Sequence, residues 1–364
     1  MNVLCICPIG IGNYLMCYPA FVALRKKRPE DSLHLLALRH AIAAVAEGDS
    51  LWNGIHVFDP DKVKTNFAEP ARVLARLRSI RFGASVSFFP SNTWQYFAFP
   101  ALCGIRHRYG FSYRRKQFST LSFLATDALA VDVSLHDVVQ NLRLAEFFLG
   151  ESVKDEPYVF PRLFSDDDSQ WADDFCRSVA GDAKLMAIHP GSSVEHGMDV
   201  KRWPADRFAR LADKACETTG AHALLVGSAQ ESNVKQSVAA NMTAKAHVVE
   251  PVSIRKTAAL LSKCTWSICN DSGIMHLAAC AGVPTAGIFG PTDEKRNGPF
   301  GRKNLVIRKP MPGFPVYTAE NVGDRSTPKG VDPQAALRAL TVEDAWQQLG
   351  PWLNNTDRAV QAAH

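Results

Sequence analysis

Residues 269–301 read CNDSGIMHLAACAGVPTAGIFGPTDEKRNGPFG, and their pattern decides the fold of the second half of the chain. Residues 265–269 form a short apolar run of strand type, and Ile274, Leu277, Ala278 and Ala281 then recur at helical spacing. Gly282-Val-Pro284 stops that helix, and 285–289 is a second apolar run closed by Gly290-Pro291. The unit is strand, small polar turn, helix, strand. Asp271, Ser272 and Gly273 fall at the helix start, where backbone N–H groups lack partners and the helix dipole is positive. Phosphate binds well at such a turn, and Gly273 lets a diphosphate approach the backbone. A plain N-cap without a ligand fits the same residues.

Three further blocks follow the same plan. The strand 185–188 leads into His189-Pro-Gly-Ser-Ser193 and then Lys201-Arg-Trp-Pro204, with Pro204 suited to the first turn of a helix over 205–215. The strand 221–226 leads into Gly227-Ser-Ala-Gln-Glu231, which opens a helix. A carboxylate there can accept from ribose hydroxyls or simply stabilise the first helical turn. At the front, the strand 3–7 leads through a turn holding Gly10 and Gly12 into a helix over 13–25, bent at Pro19. A lone G-x-G usually marks only a tight βα turn. Strands alternating with helices in both halves predict two doubly wound α/β domains.

The string NDSG-x-MHLAA-x-x-G-x-P-x-x-x-x-FGPTD-x-x-x-x-GPFG resembles the donor-binding segment of glycosyltransferase family 9, the ADP-heptose:lipopolysaccharide heptosyltransferases. HPGSS followed by K-x-W-P resembles a second element of that family, and GIGNYLMCYPAFVALRKKRP resembles its opening. Phe88-Phe-Pro-Ser91, 104–111 (GIRHRYGF) and 136–150 (HDVVQNLRLAEFFLG) are similar to its acceptor-side half. The resemblance covers nearly the whole chain and is densest between 185 and 301. It implies the GT-B architecture: an acceptor-binding Rossmann-like domain over 1–165, a nucleotide-sugar-binding one over 183–341, and the active site in a cleft between them. It also implies a helix and tail over 342–364, of the kind that crosses back onto the first domain in similar proteins.

The resemblance further implies that Asp271, Ser272 and Gly273 hold the donor diphosphate, with His276 beside it. Lys201 matches a lysine that contacts the donor, where a cation neutralises charge building on the leaving nucleoside diphosphate. Taken alone, Lys201 reads as a solvated surface lysine. Ser192 and Ser193 join the donor side, although hydroxyls in a glycine turn often only close it. Glu231 matches the ribose-binding position and Val252 the base-contacting segment. Gly10, Gly12 and Asn13 belong to the acceptor side.

Asn13 departs from the pattern, since the family usually carries an aspartate there as general base. A carboxylate, with an ordinary pKa near about 4, is ionised at neutral pH and can take a proton, whereas an amide cannot. Asn13 can still orient an acceptor hydroxyl. Proton removal then falls to Glu195, Asp199, His136 or a donor phosphate oxygen, or transfer is slow or absent. The expected function is inverting, metal-independent transfer of a sugar, foremost heptose from ADP-heptose, to a lipopolysaccharide-type or other surface-glycan acceptor, with no cofactor besides the nucleotide sugar. The alternative is a nucleotide-sugar-binding family member without transferase activity. An NAD-dependent oxidoreductase fits the α/β pattern, but no G-x-G-x-x-G follows a strand.

Composition agrees with a cytoplasmic two-domain protein: 364 residues, 46% apolar and 21% charged, suffice for two cores. No run reaches the about 20 apolar residues of a membrane helix, and the opening is unlike a signal peptide, so membrane contact is expected only as a peripheral one at the cytoplasmic face. Nine scattered cysteines without a C-x-x-C read as buried thiols in a reducing compartment. No metal site is expected: Asp59-Pro-Asp61 has D-x-D spacing but lies in the wrong half. Net charge is +5, with clusters at Arg25-Lys-Lys-Arg28 and at Arg106, His107, Arg108, Arg114, Arg115 and Lys116. These read as solvated surface, or as complements to an acidic acceptor at an anionic bilayer. No recognition motif for nucleic acid accompanies them. Asp166–Asp168 is expected in a solvated linker within 164–182, 194–200 as a mobile flap, 309–330 as a long loop, and the tail from 354 as disordered.

Overall fold

The computed structural model describes residues 1–60, 68–113, 116–155, 157–318, 327 and 329–361, the side chains of 195, 196 and 357–361 excepted. Asp61, Arg114 and Arg115 and part of the expected loop 309–330 thus lie outside the described residues. The described residues form two compact units, one from Met1–Pro161 and one from Arg162 onward.

The first unit holds β1 (Asn2–Cys7), β2 (Ser32–Ala37), β3 (Gly54–Val57), β4 (Ala84–Ser87), β5 (His107–Ser112) and β6 (Asp127–Ala130) in the order β3-β2-β1-β4-β5-β6. The second holds β7 (Leu185–His189), β8 (His222–Leu225), β9 (Ala246–Val248), β10 (Trp266–Asn270), β11 (Thr285–Ile288) and β12 (Leu305–Ile307) in the order β12-β11-β10-β7-β8-β9. All neighbouring strands pair parallel. Each unit is doubly wound as expected. Its first strand starts at the centre, the chain winds outward over two strands, then returns to the other side of the first. Strand order reverses between β1 and β4 and again between β7 and β10, and ligands of open parallel sheets bind at the carboxyl ends of strands there.

Helices cover both sheet faces, which is why β7 and β10 are buried at every residue. The helix Ala205–Thr219 buries Phe208, Leu211, Ala212 and Ala215 in one core with Trp266, Ile268 and Ile288. Each large side chain so buried contributes about 1.5–3 kcal/mol. Pro204 stands at the cap of that helix rather than in its first turn, and its carbonyl accepts from Phe208 N at 2.9 Å.

Several expectations change. Asp166–Asp168 is not linker but the first turn of the helix Asp166–Ala180, where Ser165 and Asp168 form a reciprocal capping box and acidic groups complement the dipole. The C-terminal helix, Val342–Gln361, buries Ala345, Leu349 and Leu353 in the second unit's core. It also runs through the stretch expected to be disordered, with the Thr356 hydroxyl accepting from Trp266 Nε1 at 2.9 Å. The expected flap is 3₁₀-helical over Glu195–Lys201. The first basic cluster is partly structural: Arg25 donates to the carbonyls of Asp31 and Leu51, each at 2.7 Å, which ties the end of its helix to the strand and loop beyond. In the second cluster Arg108 donates to the carbonyls of Leu124 at 2.7 Å and Ile105 at 2.5 Å. All nine cysteines are free, and Cys103, Cys176 and Cys280 are half-buried rather than buried. Among the described residues no helix is long and apolar enough to cross a membrane.

Candidate functional site

The residues expected on the donor side converge because β7 and β10 are neighbours, paired from Trp266 with Met186 to Cys269 with His189. Their carboxyl ends deliver Pro190-Gly-Ser-Ser193 and Asp271-Ser-Gly273 side by side, while Glu231 and Val252 follow β8 and β9 along the same edge. Asn270 pins this edge: its amide donates to the Pro190 carbonyl at 2.6 Å and accepts from Trp203 N at 3.2 Å. Arg202 does the same from the other side, donating to the Ser192 carbonyl at 2.6 Å and its hydroxyl at 3.3 Å. The Ser192 hydroxyl itself donates to the Met198 carbonyl at 3.0 Å, so it closes the turn, whereas Ser193 is exposed.

Lys201 reaches across this edge, with Nζ 3.1 Å from Asp271 Oδ2. Asp271 also accepts from the Thr292 hydroxyl at 2.7 Å and from Asn297 Nδ2 at 3.4 Å. Burial raises the Asp271 carboxyl, but the Lys201 ammonium, the Thr292 hydroxyl and nearby His276 outweigh it and hold it below the ordinary range. A carboxylate has no donor to offer a phosphate. What this arrangement gives Asp271 is the placing of Lys201 and of the turn.

Ser272 caps the helix Gly273–Cys280, its hydroxyl accepting from Met275 N at 3.3 Å, while Gly273 is exposed in the first turn and His276 is buried one turn on. Both readings of this turn are thus compatible: Ser272 caps, and Gly273 in the first turn sets no side chain over the helix start. Glu231 closes a capping box with Ser228, whose N–H and hydroxyl both lie 2.8 Å from Oε2, and its Oε1 lies 3.2 Å from His189 Nε2. Burial works against its charge, but His189 and Ser228 prevail and hold the carboxyl at about 2. Gly191 is glycine because a Cβ there would come 2.1 Å from Glu231 Oε1. Val252 is half-buried just before Ser253, which caps the helix Ile254–Ser262.

In the first unit, Gly10 adopts φ 108° at the carboxyl end of β1, a conformation that favours glycine. Gly12 is buried in the helix Ile11–Lys27, and Asn13, in its first turn, donates from Nδ2 to the Ile9 carbonyl at 2.5 Å. His136 caps the helix Asp137–Leu149, its Nδ1 accepting from Val138 N at 3.1 Å. Asp59 pairs with Arg39 at 2.7 Å. Among the described residues no group of three or more His, Cys, Asp or Glu stands together as a metal site. Sequence reading assigned no part to His189, Asn270, Arg202, Thr292 or Asn297. His189, Asn270 and Thr292 are matched positions of the motifs quoted above, whereas Arg202 and Asn297 fall at their variable positions.

Two doubly wound parallel units in one chain, with a cation held beside a helix start at the second switch point, define a protein of the GT-B glycosyltransferase class. The chain belongs to glycosyltransferase family 9 (heptosyltransferase), whose model matches residues 91–321. It is 30% identical over 142 residues to lipooligosaccharide heptosyltransferase 2 of Haemophilus influenzae, a match spanning 36% of this chain and 38% of that protein. Similarity to lipopolysaccharide heptosyltransferase 2 of Salmonella typhimurium is lower, 23%, but runs over 326 residues, 85% of this chain and 88% of that one. The fold matches the structure of E. coli ADP-heptose lps heptosyltransferase II with a TM-score of 0.71 at 19% identity, covering 98% of this chain and 100% of that one.

Proposed function

We propose that the protein transfers heptose from ADP-heptose, with inversion and without a metal or other cofactor, to a hydroxyl of a lipopolysaccharide-type or other surface-glycan acceptor. The observation that carries this reading is Lys201, held by buried Asp271 beside exposed Gly273 at the start of a helix. There an ammonium and free N–H groups meet the charge that grows on a departing diphosphate. The names of the heptosyltransferase relatives support the sugar and the acceptor class, and that of the E. coli structure the ADP-linked donor. Asn13 would orient the acceptor hydroxyl.

The same reading puts the protein in the cytoplasm, meeting its acceptor at the membrane surface. In the first unit Phe118 is 78% and Phe123 55% exposed, with ring centroids 6.0 Å apart. Arg106 is exposed in the same stretch of chain. Paired exposed aromatics and an exposed cation in one stretch suit the headgroup region of an anionic bilayer.

A second reading has one observation in its favour. The Asn13 amide already donates to a backbone carbonyl and cannot take a proton, which fits a member that binds the nucleotide sugar without transfer. Incubation with ADP-heptose and a heptose-free core acceptor, with chelator present, tests both. ADP release and a product of inverted anomeric configuration are expected. ADP binding without turnover favours the second reading, and absence of ADP binding overturns both.

A further inference from the structure

His189 is buried to 1% exposure, and the transfer proposed above gives it no part. Its ring bridges two donor-side residues that come from different strands. Nε2 lies 3.2 Å from Glu231 Oε1 and Nδ1 lies 3.0 Å from Ser272 Oγ. A carboxylate only accepts, so Nε2 carries a hydrogen and donates it to Glu231. In the neutral ring Nδ1 then has a lone pair, and the single proton of the Ser272 hydroxyl points inward to it. The same oxygen accepts from Met275 N, so the hydroxyl offers nothing outward. A proton added at Nδ1 reverses this bond. The ring donates on both sides, and the Ser272 proton is free to turn toward the open helix start at Gly273.

We propose that His189 is a positioning residue of the diphosphate site, neutral when the site is empty and imidazolium when a nucleoside diphosphate is bound. Ser272 then donates to phosphate only in the bound state, and each diphosphate takes up a proton from the solvent. This rests on reading Ser272-Gly273 as the phosphate turn. The charges around the ring allow it. Glu231 favours the cation, and the nearby Asp271 charge is largely met by Lys201. Lys235 lies beyond Glu231 and opposes the cation, but its ammonium is held by the carbonyls of Gly227 and Val249. Cys269, paired with His189 on the neighbouring strand, adds no charge, since burial pushes its thiol up to about 12. The charge of Asp271 also interacts with His276. The phosphate supplies the remaining negative potential that favours the cation.

Calorimetric titration of the full chain with ADP, in two buffers of different ionisation enthalpy, counts the protons exchanged. His189→Gln keeps a donor near Glu231 and His189→Asn one near Ser272, but neither side chain titrates. Wild type is expected to take up close to one proton more than either variant, with ADP affinity falling as pH rises through neutrality and both variants flatter. A wild-type count equal to theirs overturns the proposal while leaving the phosphate turn intact, whereas absent ADP binding overturns both. Nitrogen-15 spectra of wild-type histidine rings need no variant. One ring is expected to change from the Nε2–H form to imidazolium when ADP is added, and no such change overturns the proposal.

Discussion

Removing the Lys201 ammonium separates its two jobs. In Lys201→Ala the diphosphate loses one charged hydrogen bond, worth about 1.5–3 kcal/mol. At about 1.4 kcal/mol per tenfold, the ADP dissociation constant should rise on the order of 10- to 100-fold. The fold pays separately, because Asp271 is 3% exposed and its partner lysine only 16%. Stripping one partner from a buried pair costs about 3–5 kcal/mol. Asp271 keeps its bonds from Thr292 and Asn297, which places the loss at about 2–3 kcal/mol. Asp271 is held below its ordinary value, so the stability drawn from this pair is present above about pH 4 and lost as the pH falls below it. Without Lys201 that acid-side loss should shrink. ADP calorimetry near neutral pH and thermal melts from neutral to acid pH measure the two effects, and Lys201→Arg serves as a charge-keeping control. ADP affinity unchanged in Lys201→Ala would refute the assignment of this lysine to the site.

Asn13→Asp replaces a donor 2.5 Å from the Ile9 carbonyl by an acceptor, so it should lower stability by about 1–3 kcal/mol while raising the transfer rate by about 10²–10⁴ as a restored base. A fast wild-type rate left unchanged by the substitution moves the search for the base to Asp199, Glu195 and His136. Gly191→Ala puts a Cβ 2.1 Å from Glu231 Oε1, an oxygen already held by His189, and the melt should show a loss of about 1–3 kcal/mol; an unchanged melting temperature counts against this packing. Glu231, held at about 2 against an ordinary 4.5, contributes stability that is present above pH 4.5 and lost as the pH falls through 2, and Glu231→Gln should flatten that slope in acid melts. Joint replacement of Phe118 and Phe123 by Ala should reduce sedimentation with phosphatidylglycerol vesicles and leave ADP binding intact, and equal sedimentation would remove the pair from the membrane contact.

Short-range pattern was enough for much of this protein. Strand and helix periods alternate through both halves, and the glycine turns after β1, β7 and β10 stand where local spacing puts them, because period and breaker residues act within a few positions of chain. The family motifs likewise marked Lys201, Ser272, Gly273 and Glu231 by position. Which polar groups meet was decided elsewhere. Lys201 finds Asp271 70 residues on, and His189 finds Glu231 and Ser272 at separations of 42 and 83. Those meetings exist because the crossover order sets β7 between β8 and β10, so that three loops remote in sequence share one sheet edge. Nor does an apolar helical stripe say which surface it will cover. The Val342–Gln361 helix settles on Phe208 and its neighbours because the complementary apolar face, assembled from several elements, exists only once the second sheet has formed.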